Sequence, residues 1–388
     1  MFQNKNRIQD IRIDVGYDDI LKLNLCDYHI EPDWNLDSKT NIANLLGNDL
    51  GTFKINSVEK LINNNKKFIY PIVLFDNKLF ENFKSIKIDK KLQKYIHNKK
   101  CKIVFLYLLE GYFNKEVIVW INKFCIEYNF DKEDVIMITS NLKEFYTDKF
   151  TIINYNYFGN HIQFLKLSKL NEIDLKNFKN NYTKFLDNFN KLHFLCFNGI
   201  PRLNRIMMFN ELTTNKKLLG KSIVTLRGSD KNYYYDVPNW NNQPIGGGAR
   251  LNTKAHLDCF INIVTETLFD EESIFLSEKT YKPIYLCQPF ILFGNPYSLK
   301  KLKELGYKTF DKWWDEGYDE ELDINKRFKK IVSVLEKIAE WDMDYCFNIK
   351  KEMSKILIHN YNTLFDTEEI LSIFNLLKTD IGNKKSLI

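Results

Sequence analysis

Two arginines lie three residues apart where the chain passes from a predicted strand into a predicted helix. The stretch HFLCFNGIPRLNR (193–205) indicates a strand, a tight turn and a helix with a proline in its first turn, and Arg202 and Arg205 stand at the helix start. Residues three apart share one helix face. Free amides at a helix start attract anions, and a guanidinium binds phosphate through two parallel hydrogen bonds. This stretch predicts a diphosphate site; the alternative is that both arginines are solvated or paired with nearby acids.

Arginine is scarce in this chain, and its distribution favours the same interpretation. Only seven of the 56 basic residues are arginine, and four of them lie between positions 202 and 250, namely Arg202, Arg205, Arg227 and Arg250. Lysine supplies the positive charge elsewhere. Arginine is the residue suited to planar, bidentate recognition of anions. The concentration of arginine therefore points to an anion-binding region between residues 202 and 250.

A second group of polar residues follows in NIVTETLFDEESIFLSEKTYKPIYLCQPFILFG (262–294). Ser277 is suited to cap a helix that carries Glu278 and Lys279 in its first turn. At a helix start that points into a cleft, a carboxylate can bind a ribose or sugar hydroxyl, and an ammonium can bind a phosphate. The alternative is an ordinary capped helix with an exposed ion pair.

The elements that would position these residues alternate between apolar strands and helices. Continuous apolar strands separated by helices predict parallel sheets covered on both faces. The predicted strands are 67–74, 101–109, 134–139, 151–154, 193–197, 222–226, 260–265, 274–276 and 290–293. The pattern predicts an α/β protein with two Rossmann-like lobes, 1–190 and 191–320, and a helical C-terminal segment, 321–388. Ligands of such folds bind at the carboxyl ends of the strands, here in a cleft between the lobes.

The carboxyl-terminal region resembles the donor-binding lobe of two-lobed, type B fold glycosyltransferases, most of all that of the α1,3-fucosyltransferases. The resemblance covers about 193–320 and extends to a group of viral and bacterial fucosyltransferase-like proteins. The matching pieces are Asn198 with Arg202 or Arg205, Thr265-Glu266-Thr267, Ser277-Glu278-Lys279 and Pro289–Gly294. Ser277 replaces the family's threonine, and K-P-I-Y-L-C-Q replaces the small residues that usually follow E-K. Fucose is therefore not carried over as the donor sugar.

This resemblance implies a nucleotide-diphosphate sugar as co-substrate and no other cofactor. The implied donor-binding residues are Asn198, Arg202, Arg205, Arg227, Glu266, Ser277, Glu278 and Lys279. The amino-terminal lobe would then bind a glycan or another hydroxyl acceptor and supply a general base. Glu110 directly follows the strand 101–109, which places a carboxylate at a strand's carboxyl end, and His161 is the rival base.

The predicted reaction is transfer of a sugar to a hydroxyl group with inversion and without a metal ion. Retaining two-lobed enzymes often carry two glutamates eight residues apart in this region, whereas Glu266 and Glu278 are twelve apart. Two alternatives remain open. One is transfer of a sugar to a hydroxylated base in DNA, and the other is a non-catalytic binding or scaffold protein on the same fold.

Composition excludes several other classes of protein. Aromatic residues make up 15% of the 388 residues, more apolar surface than a disordered chain carries. The longest apolar runs, such as Ile103–Leu109, fall far short of the about 18 residues that a membrane span needs. The start, MFQNKNRIQD, lacks the apolar segment of a secretory signal, so we expect a cytoplasmic protein.

Charge and cysteine content limit the partners in the same way. The formal charge of +6 is spread along the chain and falls short of the basic stripe of many nucleic-acid binders, so duplex DNA is a possible partner that is not favoured. The seven cysteines are scattered, and no two stand at C-x-x-C spacing. We expect buried thiols, with no zinc site and no disulfide.

Overall fold

The computed structural model describes residues 16–17, 22–23, 52–53, 55–56, 62–65, 68–73, 87–107, 115–156, 158–159, 186–227, 232–234, 253–268 and 273–364. These residues fall into two compact units, one within Met1–Asn160 and the other within His161–Asp366. Both are built around parallel sheets with helices, so the chain has an α/β fold. Among the described residues, no helix combines the length and apolar character that spanning a bilayer requires.

The first unit contains a four-stranded parallel sheet. The strands of the whole unit are β1 (Gly16–Tyr17), β2 (Lys22–Leu23), β3 (Thr52–Phe53), β4 (Ile55–Asn56), β5 (Phe68–Val73), β6 (Cys101–Tyr107), β7 (Val135–Thr139) and β8 (Thr151–Asn154), and its helices are α1 (Lys90–His97) and α2 (Lys115–Tyr128). Strands β1 and β4 form one two-stranded sheet, and β2 and β3 form another. The four-stranded sheet has the order β5-β6-β7-β8, and each strand is parallel to its neighbour. All five residues of β7 are buried, as expected for a strand covered on both faces.

The second unit contains a five-stranded sheet. Its strands are β9 (Leu192–Asn198), β10 (Ser222–Arg227), β11 (Asn232–Tyr234), β12 (Cys259–Thr265) and β13 (Phe290–Phe293), and its helices are α3 (Leu203–Thr214), α4 (Thr253–Asp258), α5 (Glu278–Tyr285), α6 (Ser298–Glu304), α7 (Ile324–Ala339) and α8 (Met343–Leu364). The order is β11-β10-β9-β12-β13, with β11 antiparallel at one edge and the other four strands parallel. Every residue of β12 and β13 is buried.

The sequence prediction of a strand at 274–276 is wrong. Residues 273–277 form no regular secondary structure, although Phe275 and Leu276 are almost fully buried. The segment is apolar because it covers the core as a loop. At its end, the amide of Ser277 donates to the side chain of Glu266 at 2.9 Å. A short apolar run indicates burial, but it does not show whether the buried segment is a strand.

Helices α5 and α8 pack against each other within the second unit. The rings of Tyr285 and Tyr361 lie 6.2 Å apart between their centroids. Nearer the start of α8, the buried ammonium of Lys350 donates to the side-chain oxygen of Asn190 at 2.8 Å, just before β9 begins. Helix α8 therefore contacts both the entry to the sheet and the helix that carries Glu278 and Lys279.

Candidate functional site

The polar residues singled out in the second unit lie at the carboxyl edge of its parallel sheet. Strand β9 ends at Asn198, and its neighbour β12 ends at Thr265. The side-chain oxygen of Asn198 accepts a hydrogen bond from the Thr265 hydroxyl at 2.5 Å, and its backbone amide donates to the Thr225 hydroxyl of β10 at 3.2 Å. Asn198 is 3% exposed. It therefore holds the ends of three strands together beneath the site.

Glu266 follows β12 directly, and its carboxylate is fully occupied by donors of the chain itself. One oxygen accepts from the Ser277 amide at 2.9 Å and the Thr280 hydroxyl at 2.5 Å. The other accepts from the Ser277 hydroxyl at 2.6 Å and the Thr267 amide at 3.0 Å. The residue has no exposed surface. Glu266 therefore fastens the start of α5 to the end of β12, and both of its oxygens are already engaged.

Three cationic side chains converge on Thr267. Its hydroxyl accepts from the Lys279 ammonium at 2.9 Å and from the Arg205 guanidinium at 3.3 Å. Its carbonyl oxygen accepts from the Arg202 guanidinium. Thr267 is half-buried, and the side chain of Lys279 is 23% exposed. We call Arg202, Arg205, Lys279 and Thr267 the cation cluster.

Arg205 is the most buried member of the cation cluster. It is 3% exposed, and burial lowers the pKa of its guanidinium, with the neighbouring Arg202 acting in the same direction and the carboxylates of Glu266 and Glu278 opposing. Its remaining donor contact is to the carbonyl of Ile200 at 2.9 Å, and its Nε has no hydrogen-bond partner. A buried guanidinium with neutral acceptors and an unused donor is suited to gain an anionic acceptor.

The start of α5 carries Glu278, a partly exposed carboxylate that hydrogen-bonds a member of the cation cluster. Among the described residues, no other partly exposed carboxylate does so. Ser277 caps the helix by accepting from the Lys279 amide at 3.3 Å, as the sequence predicted. Glu278 accepts from the Lys279 ammonium at 2.7 Å and is 15% exposed. Burial raises the pKa of Glu278, but Lys279 and Lys282 outweigh burial and lower it to about 2. Glu278 therefore stays ionised at neutral pH, able to accept from a hydroxyl group.

The structure brings together most of the residues that the sequence proposed for donor binding, namely Asn198, Arg202, Arg205, Glu266, Ser277, Glu278 and Lys279. Arg227 is the last residue of β10, one position beyond the residue that pairs with Asn198, so its backbone lies near the same edge. The structure does not describe its side chain. Glu110 and His161 lie outside the described residues, and the assignment of the base stays a prediction.

Sequence reasoning missed three contributors to this arrangement. Thr267 belongs to the resembling tripeptide Thr265-Glu266-Thr267, but nothing in the sequence indicates that all three cations contact it. Thr280 donates to Glu266, and its position three residues after the cap Ser277 was the available signal. Asn204 is fully buried and donates to the Glu266 carbonyl at 3.0 Å, which joins α3 to the end of β12. Its position between the two arginines gave no signal.

No group of three potential metal ligands from His, Cys, Asp and Glu occurs among the described residues. The six cysteines that the structure describes are free and buried. Burial raises the pKa of Cys196, beneath the site, to about 12, so this thiol stays protonated at neutral pH.

Comparison of the chain with protein-family profiles, with curated proteins and with solved structures found no match in any of the three.

Proposed function

We propose that this protein is a glycosyltransferase that moves a sugar from a nucleotide-diphosphate sugar to a hydroxyl acceptor, with inversion. The observation that carries the proposal is the convergence of Arg202, Arg205 and Lys279 on Thr267 at the carboxyl edge of a parallel sheet. Ligands of parallel α/β sheets bind at this edge. Glu278 is paired with Lys279, whereas Arg202 and Arg205 donate to neutral acceptors, so positive charge remains there that suits a diphosphate.

The cation cluster also fits the chemistry of the leaving group. During transfer, the acceptor oxygen bonds to the anomeric carbon, and the bond from that carbon to the diphosphate oxygen breaks. Negative charge then grows on the departing diphosphate. Preorganised cations are most effective where charge develops during the reaction. In this proposal Arg202, Arg205 and Lys279 stabilise that charge, and Glu278 accepts a hydrogen bond from a hydroxyl of the donor.

The proton of the acceptor hydroxyl must pass to a base as the new bond forms. Glu110 is the proposed base, on the grounds of its position after a predicted strand, and His161 is the alternative. In the proposed two-lobed, type B arrangement both belong to the amino-terminal lobe as predicted from the sequence, residues 1–190. The acceptor is proposed to be a glycan or another hydroxyl compound.

The proposal is tested by calorimetric titration with nucleoside diphosphates, followed by a sugar-transfer assay with the nucleotide sugar of the best binder. Arg202→Ala and Lys279→Ala should each weaken binding by about 10-fold to 100-fold, since a hydrogen bond to a charged group contributes about 1.5–3 kcal/mol. Lys216→Ala is the matched control, because this exposed lysine follows α3 without contacting the cation cluster. Equal affinities for all four proteins would overturn the anion site.

A transfer assay separates the enzyme from a binding protein on the same fold. Release of nucleoside diphosphate that depends on an added acceptor supports the proposed reaction. Nucleotide binding without turnover, across glycan and hydroxylated DNA acceptors, would leave a non-catalytic binding role instead.

A further inference from the structure

An exposed apolar surface adjoins the cation cluster. Ile200, Leu203 and Ile206 are 69%, 61% and 40% exposed, respectively. They lie in the turn after β9 and on the first turns of α3, spaced three residues apart. Single exposed apolar residues are normal in proteins, whereas an exposed apolar patch bordered by polar residues is a candidate for ligand binding. We call these three residues the apolar ridge.

The geometry of α3 places the apolar ridge directly beside the arginines. Successive helix residues are rotated by about 100°. Around the first turn of the helix, the order is therefore Arg205, Ile206 and Leu203. Exposure rises in the same order, from 3% through 40% to 61%, and half-buried Arg202 directly precedes this turn. The surface thus changes from cationic to apolar over one side of the helix.

The turn before the helix belongs to the same surface. Arg205 donates to the carbonyl oxygen of Ile200 at 2.9 Å, which fixes the backbone that presents the Ile200 side chain. The same guanidinium donates to Thr267. One buried side chain therefore joins the turn that carries Ile200 to Thr267 of the cation cluster.

We propose that the apolar ridge binds the base of a nucleoside diphosphate whose phosphates contact the cation cluster. This inference rests on the proposed function and adds the part of the ligand that the cations leave unexplained. An inorganic anion or a sugar phosphate would leave the three apolar side chains in water. A nucleobase has two apolar ring faces, which pack on apolar side chains, and it is joined to the phosphates that the neighbouring cations attract.

Charge complementarity favours this occupant over a wholly apolar partner. The boundary of the apolar ridge is Arg202, whose guanidinium is already turned toward Thr267. A ligand that covers both parts must be anionic at one end and apolar and flat at the other. The apolar ridge consists of three side chains, a number that suits contact with the ring system of one nucleobase.

The test compares pyrophosphate with GDP, UDP and ADP in calorimetric titrations of the full chain. Leu203→Ser and Ile200→Ser remove exposed apolar surface only, and Leu219→Ser is the matched control because Leu219 is 49% exposed after α3. We expect Leu203→Ser to weaken the best nucleoside diphosphate by about fivefold to tenfold, from the apolar area left uncovered. Pyrophosphate affinity should stay unchanged in all variants.

The outcomes separate this inference from the proposed function. If the wild-type protein binds pyrophosphate as tightly as every nucleoside diphosphate, the base site is refuted and the anion site stands. The same holds if Leu203→Ser and Ile200→Ser bind nucleotides like the wild type. If the wild-type protein binds neither pyrophosphate nor nucleotide, the proposed function fails and this inference fails with it. Equal loss of pyrophosphate and nucleotide binding in Leu203→Ser would show that the ridge only supports the helix.

Discussion

Replacing Glu266 by glutamine tests whether this buried carboxylate holds the candidate site together. The wild-type side chain accepts four hydrogen bonds, two on each oxygen. An amide has one oxygen and one NH₂ group, so two of the four donors would face another donor. The hydroxyls of Ser277 and Thr280 can rotate to adapt. A backbone amide cannot, so either Ser277 or Thr267 would be left with an unpaired N–H group.

The expected magnitude follows from that count. An unpaired buried donor costs about 1–3 kcal/mol, and the remaining bonds to a neutral amide are weaker than those to a carboxylate. Removing a buried charge offsets part of this loss. We expect Glu266→Gln to lower the unfolding free energy by about 3 kcal/mol. For a unit of about 200 residues, this lowers the melting temperature by roughly 6–12 °C.

Urea denaturation of the purified variants measures this change. Glu304→Gln is the matched control, since Glu304 is 50% exposed and pairs only with Lys301 among its described contacts; it should change the unfolding free energy by less than about 1 kcal/mol. Thr280→Val removes one of the four donors and should cost about 1 kcal/mol by itself. Its cost should shrink in the Glu266→Gln background, because both changes act on the same hydrogen bond. Wild-type stability in Glu266→Gln would refute the assigned role.

Three further results are expected. Burial lowers the pKa of Lys350 to about 8 from 10.5, so the unfolded chain binds more protons between these values and stability rises with pH there. The unfolding free energy should rise by about 3 kcal/mol from pH 8 to 10.5, and Lys350→Met should remove that part of the rise. Glu110→Gln should lower sugar transfer by about 100-fold with nucleotide affinity unchanged; if it is fully active, His161→Ala is the next variant to assay. Duplex DNA should bind weakly at physiological salt, and submicromolar binding with a steep salt dependence would favour the DNA-modifying alternative.

The sequence predicted the parallel-sheet strands of the fold well because they are continuous apolar runs. Strands β6 and β12, for example, are mostly apolar; all seven residues of β12 are buried, and so are most of the described side chains of β6. The helix starts were harder. Pro201 was expected inside α3, but Arg202 keeps an extended backbone with φ −134° and ψ 159°, and the helix begins at Leu203. A proline indicates that a helix starts nearby, but it does not identify the first helical residue.

The role of Glu266 could not have been predicted from local pattern. Its partners Ser277 and Thr280 follow 11 and 14 residues later, beyond the segment 274–276 that the sequence predicted to be a strand. These groups meet only because the start of α5 lies beside the end of β12 in the tertiary fold. Ser277 was predictable as a cap, since capping depends on residues two or three positions away. The carboxylate that it also contacts depends on the tertiary fold.

Glu266 and an external anion would both act on the charge of the arginines in the candidate site, Glu266 without a hydrogen bond to either of them. Arg202 and Arg205 repel each other, and the pKa of Arg205 is lowered by burial and by its neighbour, whereas Glu266 and Glu278 oppose that shift. The fixed carboxylates thus offset part of the repulsion in the unliganded protein. The guanidinium groups of Arg202 and Arg205 still donate to neutral acceptors, namely Thr267 and the backbone carbonyl of Ile200. An anion that replaces these acceptors strengthens each hydrogen bond. A nucleotide at 100 times its dissociation constant adds about 2.7 kcal/mol of stability. If Glu266 positions the cluster, Glu266→Gln weakens nucleotide binding, so the same nucleotide concentration should stabilise that variant less than the wild type; equal stabilisation of both proteins would contradict this role.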